Sequence, residues 1–187
     1  LGAELVPFSP LEDEALPEKL DGLYLGGGYP ELYAAQLSEN NAMRKSIREA
    51  VGSGLACIAE CGGFMYLTEK IGSFPMAGAL PGGCFDTGKL TRFGYVTLTA
   101  QKDNLLCSAG QSIPAHEFHH WDAEAPGSDF TAEKPSGKRW TCAVATKTLY
   151  AGYPHFHFYA NPAFAVRFLD ACRKEHHHAG TDSAHGY

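Results

Sequence analysis

A cysteine nucleophile is the sharpest chemical possibility in this chain. Cys61 lies in Leu55-Ala56-Cys57-Ile58-Ala59-Glu60-Cys61-Gly62-Gly63-Phe64-Met65-Tyr66-Leu67, a short apolar run followed by a glycine turn and a second apolar run. A nucleophile elbow holds its reactive residue on a sharp strand-to-helix turn, strained at that residue, and needs small neighbours two positions away on either side. Ala59 and Gly63 supply them. A helix N-terminus after the turn favours the thiolate through its free N–H groups and dipole. The N–H of Gly62 is then placed to stabilise an oxyanion. The same residues also read as a buried free cysteine beside a glycine turn.

Such a thiol needs a base, usually a histidine remote in sequence. His155 and His157 lie in Ala151-Gly152-Tyr153-Pro154-His155-Phe156-His157-Phe158, at the end of a predicted strand, and alternation aims both at one face. Without Cys61 they would read as two partly buried, hydrogen-bonded histidines. Gly26-Gly27-Gly28 also follows a strand, and a backbone without Cβ atoms lets a ligand approach its N–H groups. An ordinary strand-end turn fits that stretch equally well, and neither phosphate-loop pattern occurs there. His116-Glu117-Phe118-His119-His120 matches the H-E-x-x-H zinc signature, which works only on a helix. The segment lies among extended stretches and has no identifiable third ligand, so no metal is assigned.

The elements that must position these residues alternate between strand and helix. Glu4–Phe8 reads as a short strand, Gly22–Leu25 as a second and Leu55–Ala59 as a third, all brief apolar runs of the kind a parallel sheet buries. Helices are predicted from Glu31 to Leu37, from Ala42 to Val51 and from Phe64 to Ile71. The second places Met43, Ile47, Ala50 and Val51 on one face and stops at Gly52 and Gly54. This order implies an α/β layer fold. Beyond it the chain changes character. Leu90–Ala100 alternates as a strand, with Leu90, Phe93, Tyr95, Val96 and Leu98 as its apolar positions. Ala115–Trp121, Trp140–Thr146 and Thr148–Tyr153 also read as extended, and Asn161-Pro162 opens a final helix.

Composition bounds the partners. With 187 residues, 44% hydrophobic and 19% charged, the chain can bury one core. A net charge of −6 argues against nucleic acid or an anionic membrane as partner, and no apolar run approaches membrane-spanning length. The six cysteines show no C-x-x-C spacing, and a chain this long needs no disulfide staples, so a reducing, cytoplasmic setting is expected. No signal peptide is visible, and the chain opens at Leu1 without an initiator Met, which suggests that an upstream part is missing. The tail 176–187, poor in apolar residues, reads as disordered.

Several of these segments together resemble the C-terminal glutaminase domain of the cobyrinic acid a,c-diamide synthase family, class I glutamine amidotransferases of cobalamin biosynthesis. The segments are Leu1 to Pro10 (LGAELVPFSP), Leu25-Gly26-Gly27-Gly28-Tyr29-Pro30-Glu31-Leu32, Ala59-Glu60-Cys61-Gly62-Gly63, His116-Glu117-Phe118-His119 and His155-Phe156-His157-Phe158. The resemblance covers about residues 1–172 and implies a flavodoxin-like, mostly parallel sheet flanked by helices, with its first strand and helix missing upstream of Leu1. It implies a glutaminase domain over 1–175. The ATP- and magnesium-dependent synthetase domain would lie outside this chain, which itself would hold no cofactor.

The resemblance also assigns roles. Cys61 would attack the side-chain amide of glutamine, His155 would activate the thiol, and backbone N–H groups of Gly26, Gly27, Gly28 and Gly62 would form the oxyanion hole. Ammonia would pass to the synthetase domain, which amidates the a and c carboxylates of the cobyrinate corrinoid. The implied partners are therefore glutamine, that domain, the corrinoid through it and, as an option, a second copy of the chain. Two departures stand out: His157 occupies the position of the class I Glu two residues past the histidine, and Met65 that of a Gln four past the nucleophile. Two other classes stay open, a non-catalytic docking module and a zinc hydrolase built on His116, Glu117 and His120.

Overall fold

The computed structural model describes residues 1–179, with side chains through Lys174. β1 (Gly22–Leu25) leads through a 3-10 turn, Pro30–Tyr33, to α1 (Ala34–Glu39) and α2 (Asn41–Gly52). The Asn40 side chain accepts from the Met43 N–H at 3.2 Å and caps α2, a contact worth about 1 kcal/mol. Met43 and Ile47, one turn apart, are fully buried, and the helix ends at Ser53 and Gly54. β2 (Ala56–Glu60) and α3 (Gly62–Leu67) follow, and both are buried along their whole length.

Short strands come next: β3 (Lys70–Ile71), β4 (Phe74–Pro75) and β5 (Gly83–Asp86). The long pair β6 (Arg92–Ala100) and β7 (Ser112–His119) is followed by β8 (Trp121–Ala123), β9 (Phe130–Glu133) and β10 (Arg139–Cys142). β11 (Val144–Ala145), β12 (Leu149–Gly152), β13 (His155–Phe156) and α4 (Pro162–Ala179) complete the described chain. The central sheet has the order β1-β2-β12-β11, in which β1, β2 and β12 run parallel and β11 is antiparallel. An antiparallel sheet, β10-β9-β6-β7-β13, packs beside it, and a small sheet has the order β4-β3-β5-β8.

Alternation along β2 divides the core in two. Cys57 and Ala59 face Leu23, Leu25, Ile47, Phe64 and Leu67 on the side of the first three helices. Ala56 and Ile58 face Leu98, Ile113, Phe130, Tyr150 and Phe164 on the side of the antiparallel sheet and α4. The six cysteines are free and buried. No helix among the described residues is long and apolar enough to cross a membrane.

The parallel α/β core is as the sequence implies, and four local expectations are corrected. Glu4–Phe8 is not a strand: it pairs with no strand among the described residues, and Phe8 and Leu11 instead pack on the core beside a Ser9–Asp13 turn. The helix expected to run to Ile71 stops at Leu67, because the Thr68 hydroxyl bonds the Met65 carbonyl and its backbone turns extended. In β6 the apolar positions do not share a face: Val96, Leu98 and Ala100 point inward, whereas Phe93 and Tyr95 are exposed. The tail boundary also moves, since α4 carries the chain to Ala179, and residues 180–187 lie outside the described residues.

Candidate active site

Cys61 closes β2 with φ 50° and ψ −106°, a region non-glycine residues avoid, and such strain costs on the order of 1–3 kcal/mol. Both sides of the turn are anchored. The Cys61 N–H donates to the Gly152 carbonyl at 2.8 Å, and the Cys61 carbonyl accepts from the Met65 N–H at 2.9 Å. The clearance expected at Gly63 is real: a Cβ there would lie 2.3 Å from the Leu25 carbonyl oxygen. The Gly63 N–H donates to the Gly26 carbonyl at 3.0 Å, which stitches the elbow to the glycine loop. Gly62 faces Gly28 across the same seam, so close that a Gly62 Cβ would sit 2.9 Å from the Gly28 carbonyl oxygen. The loop and the residue after the nucleophile therefore meet beside the thiol. α3 has only six residues, so its dipole is a small source of positive charge.

The larger source is His155. β12 lies parallel to β2 in the central sheet, and the chain leaving it turns at Tyr153-Pro154 into β13, which pairs with β7. This route sets the imidazole over the elbow, where it interacts with the Cys61 side chain and pairs with Glu60. Those two contacts, Cys61 first, raise the His155 pKa to about 10 against the opposing effect of burial. The ring therefore holds its proton at neutral pH. His157, expected on the same face, takes no part: it is exposed and stacks on Tyr159 at 5.5 Å between centroids.

Glu60 is the site residue that sequence reasoning missed. It is only 4% exposed, and its Oε2 lies 3.7 Å from His155 Nδ1. Two donors hold it: the Tyr24 hydroxyl at 2.6 Å to Oε2 and the Phe156 N–H at 3.1 Å to Oε1. Burial first, then the Glu60 charge, raises the Tyr24 pKa, so the phenol keeps its proton and donates. A buried carboxylate thus stands beside His155, and it comes from the residue before Cys61 and not from position 157. A signal existed in the sequence, because a lone charge ends an otherwise apolar buried strand. Strand alternation places Glu60 on the Ile58 side, toward the layer that carries β13.

A narrow cleft opens at Cys61, lined by Gly28, Tyr29, Glu31, Met65, Phe118, His119, His120 and Trp121. The His116–His120 segment therefore belongs to the cleft wall. Residues Ser112–His119 form a strand, so the helix that zinc binding by H-E-x-x-H requires is not there. A larger cavity of about 300 Å³ shares the glycine loop but contains neither Cys61 nor His155, and we do not assign the chemistry to it.

Residues 1–163 match the model of the CobB/CobQ-like glutamine amidotransferase domain. The chain is 41% identical over 180 residues to the cobyrinate a,c-diamide synthase of Caldanaerobacter subterraneus subsp. tengcongensis, covering 92% of this chain and 40% of that protein. It is 39% identical over 174 residues to the hydrogenobyrinate a,c-diamide synthase of Streptomyces coelicolor, covering 92% of this chain and 35% of that protein. The chain thus spans well under half the length of these relatives. Among solved structures it resembles a glutamine amidotransferase with TM-score 0.58 at 18% identity, covering 83% of this chain and 80% of that one.

Proposed function

The chain belongs to the CobB/CobQ-like glutamine amidotransferase family, and from that premise we propose that it hydrolyses glutamine through Cys61 and delivers the ammonia to a synthetase portion. The contact of His155 with Cys61 at a strained elbow carries this reading. The Cys61 sulfur adds to the carboxamide carbon of glutamine, and the oxyanion that forms is held by backbone N–H groups at Gly62 and the Gly26–Gly28 loop. His155 gives its proton to the departing nitrogen, which leaves as ammonia, and a γ-glutamyl thioester remains. Water, deprotonated by the now neutral imidazole, then cleaves the thioester to glutamate and frees the Cys61 thiolate beside the reprotonated imidazole. Glu60 keeps the imidazole oriented and favours its protonated form in both halves of the cycle.

The domain of this activity is residues 1–175, continued by the rest of α4. Ammonia is consumed where a carboxylate has been activated. In the longer relatives that is the synthetase portion, and by the family resemblance it uses ATP and magnesium to amidate the a and c carboxylates of cobyrinate or a close corrinoid. No residue of this chain is assigned to ATP or magnesium, and its glycine loop lacks a phosphate-loop pattern. A cytoplasmic setting fits six unpaired cysteines.

The test replaces Cys61 by Ala or Ser in the intact two-part enzyme. Glutamine-dependent amidation should vanish while added ammonia still supports the reaction, because the synthetase chemistry does not use the thiol. Equal loss with both nitrogen sources in a folded variant would make Cys61 structural and the chain a docking module.

A further inference from the structure

The residue four beyond the nucleophile is Met65, which is buried and lines the cleft. Its thioether can pack on the methylenes of an amino acid but cannot read the polar groups, so other side chains must do so. We propose that Glu31 and His119 read the two nitrogen ends of glutamine, Glu31 accepting from the α-ammonium group and His119 Nε2 from the carboxamide N–H. This assignment rests on the amidotransferase reading above.

His119 carries the stronger observation. It is 5% exposed, and its Nδ1 lies 2.6 Å from the Trp121 carbonyl oxygen. A carbonyl only accepts, so the ring proton is on Nδ1 and Nε2 presents a lone pair. That Nε2 is buried and has no hydrogen-bond partner in the protein. Buried polar atoms are nearly always satisfied, and one left open on the wall of a nucleophile's cleft points to a ligand donor. The ring is also fixed and uncharged. It stacks on Tyr153 at 3.8 Å between centroids and 5° between planes, and burial lowers its pKa. Tyr153 also packs edge-on against Phe64 of α3, the helix that follows Cys61, and both His119 and Cys61 line the one cleft.

Glu31 is the second acceptor in the cleft. It belongs to the 3-10 turn that follows the glycine loop, and it lines the same cleft as Cys61. Its electrostatic neighbours are His120, on the opposite wall, and Asp86, whose charge adds to its own. Burial holds the pKa of this half-buried carboxylate up, with His120 opposing that and Asp86 adding to it, so a further positive charge in the cleft would favour its ionised form. The α-ammonium group of an amino acid supplies that charge. A cleft that offers these two acceptors also separates substrate from product. Glutamate has lost the carboxamide N–H and would set a carboxylate against the His119 lone pair.

The test alkylates Cys61 in the intact two-part enzyme with 2-amino-4-oxo-5-chloropentanoate, a glutamine analogue whose chloromethyl carbon stands where glutamine has its amide carbon, and with its counterpart lacking the amino group. The parent protein should react at least about tenfold faster with the amino compound, since a site built for a donor rejects the analogue without it. Glu31→Gln should bring the two rates together, and Glu31→Asp should keep part of the preference. His119→Phe retains the ring stack, and the reagent has no carboxamide N–H, so its labelling should persist. Glutamine, however, should protect Cys61 of that variant at least about tenfold less well. Preserved selectivity in Glu31→Gln, equal rates in the parent protein or unchanged glutamine protection in His119→Phe would overturn the assignment. A parent protein in which Cys61 reacts with neither compound would instead overturn the amidotransferase reading on which it rests.

Discussion

The imidazole of His155 occupies the space that a side chain at Gly27 would need. A Cβ built on Gly27 would lie 2.5 Å from His155 Cε1, well inside contact distance. The glycine loop and the histidine are therefore one fitted unit, although 127 residues separate them in the chain (155 − 27 − 1).

Replacement of Gly27 by Ala should push the imidazole off Cys61. A displacement of about 1 Å at a reacting pair costs roughly a hundredfold in rate. Glutamine-dependent amidation by the intact two-part enzyme should fall by about that factor with ammonia-dependent amidation intact. Parental glutamine turnover in Gly27→Ala would show that the loop yields and the contact is not required.

His155→Ala should cost far more glutaminase activity than His157→Ala. A positioned acid–base group contributes about 10²–10⁴, whereas the exposed His157 ring stacks on Tyr159 at the surface. Steady-state glutamate release from the two variants decides it, and the reverse ranking would place the base at His157.

Glu60→Gln should change how stability depends on pH. The folded-state pKa of His155 is raised to about 10 by Cys61 and Glu60, from an ordinary value of 6.5. A raised histidine contributes stability that is complete below the unfolded pKa and is lost as pH climbs through the folded one. The parent protein should therefore lose stability between about pH 6.5 and 10. Glu60→Gln should lose less over the same span, because one of the two contacts that hold the proton has gone. Glu117, raised to about 7 chiefly by burial, titrates within this window, but it and the buried cysteines are common to both proteins and cancel in the comparison. Denaturant midpoints at several pH values give the comparison. Parallel curves would mean that Glu60 does not act on His155.

This chain by itself should release glutamate from glutamine far more slowly than the assembled enzyme. The cleft at Cys61 is narrow, closed by Met65 on one side and Phe118–Trp121 on the other. β1 is the outer strand of the central sheet among the described residues, and its Tyr24, which holds Glu60, is 44% exposed. An open strand edge invites pairing with another chain. A partner covering that edge would steady the line Tyr24, Glu60, His155 and so the thiol. Comparable turnover by the chain alone and by the assembly would show that the site is already organised within these residues.

Near Cys61, sequence alone carried a great deal. The elbow is a local steric demand, met by Ala59 and Gly63 within two residues of the thiol, and local demands leave a mark in spacing. The capped helix of Met43 and Ile47 was legible for the same reason, since its period is set by the helix itself. Three decisions belonged to the tertiary structure. His155 rather than His157 meets the thiol because β13 pairs with β7 at His155 and ends at Phe156. Glu60 becomes its partner because β2 and β12 run side by side, which brings the residue before the nucleophile to the chain leaving β12. The H-E-x-x-H match became a cleft wall because β6 holds residues 112–119 extended along eight paired positions. Each of these is set by strand pairing between segments far apart in the chain, and no local pattern of residue types records which strands will be neighbours.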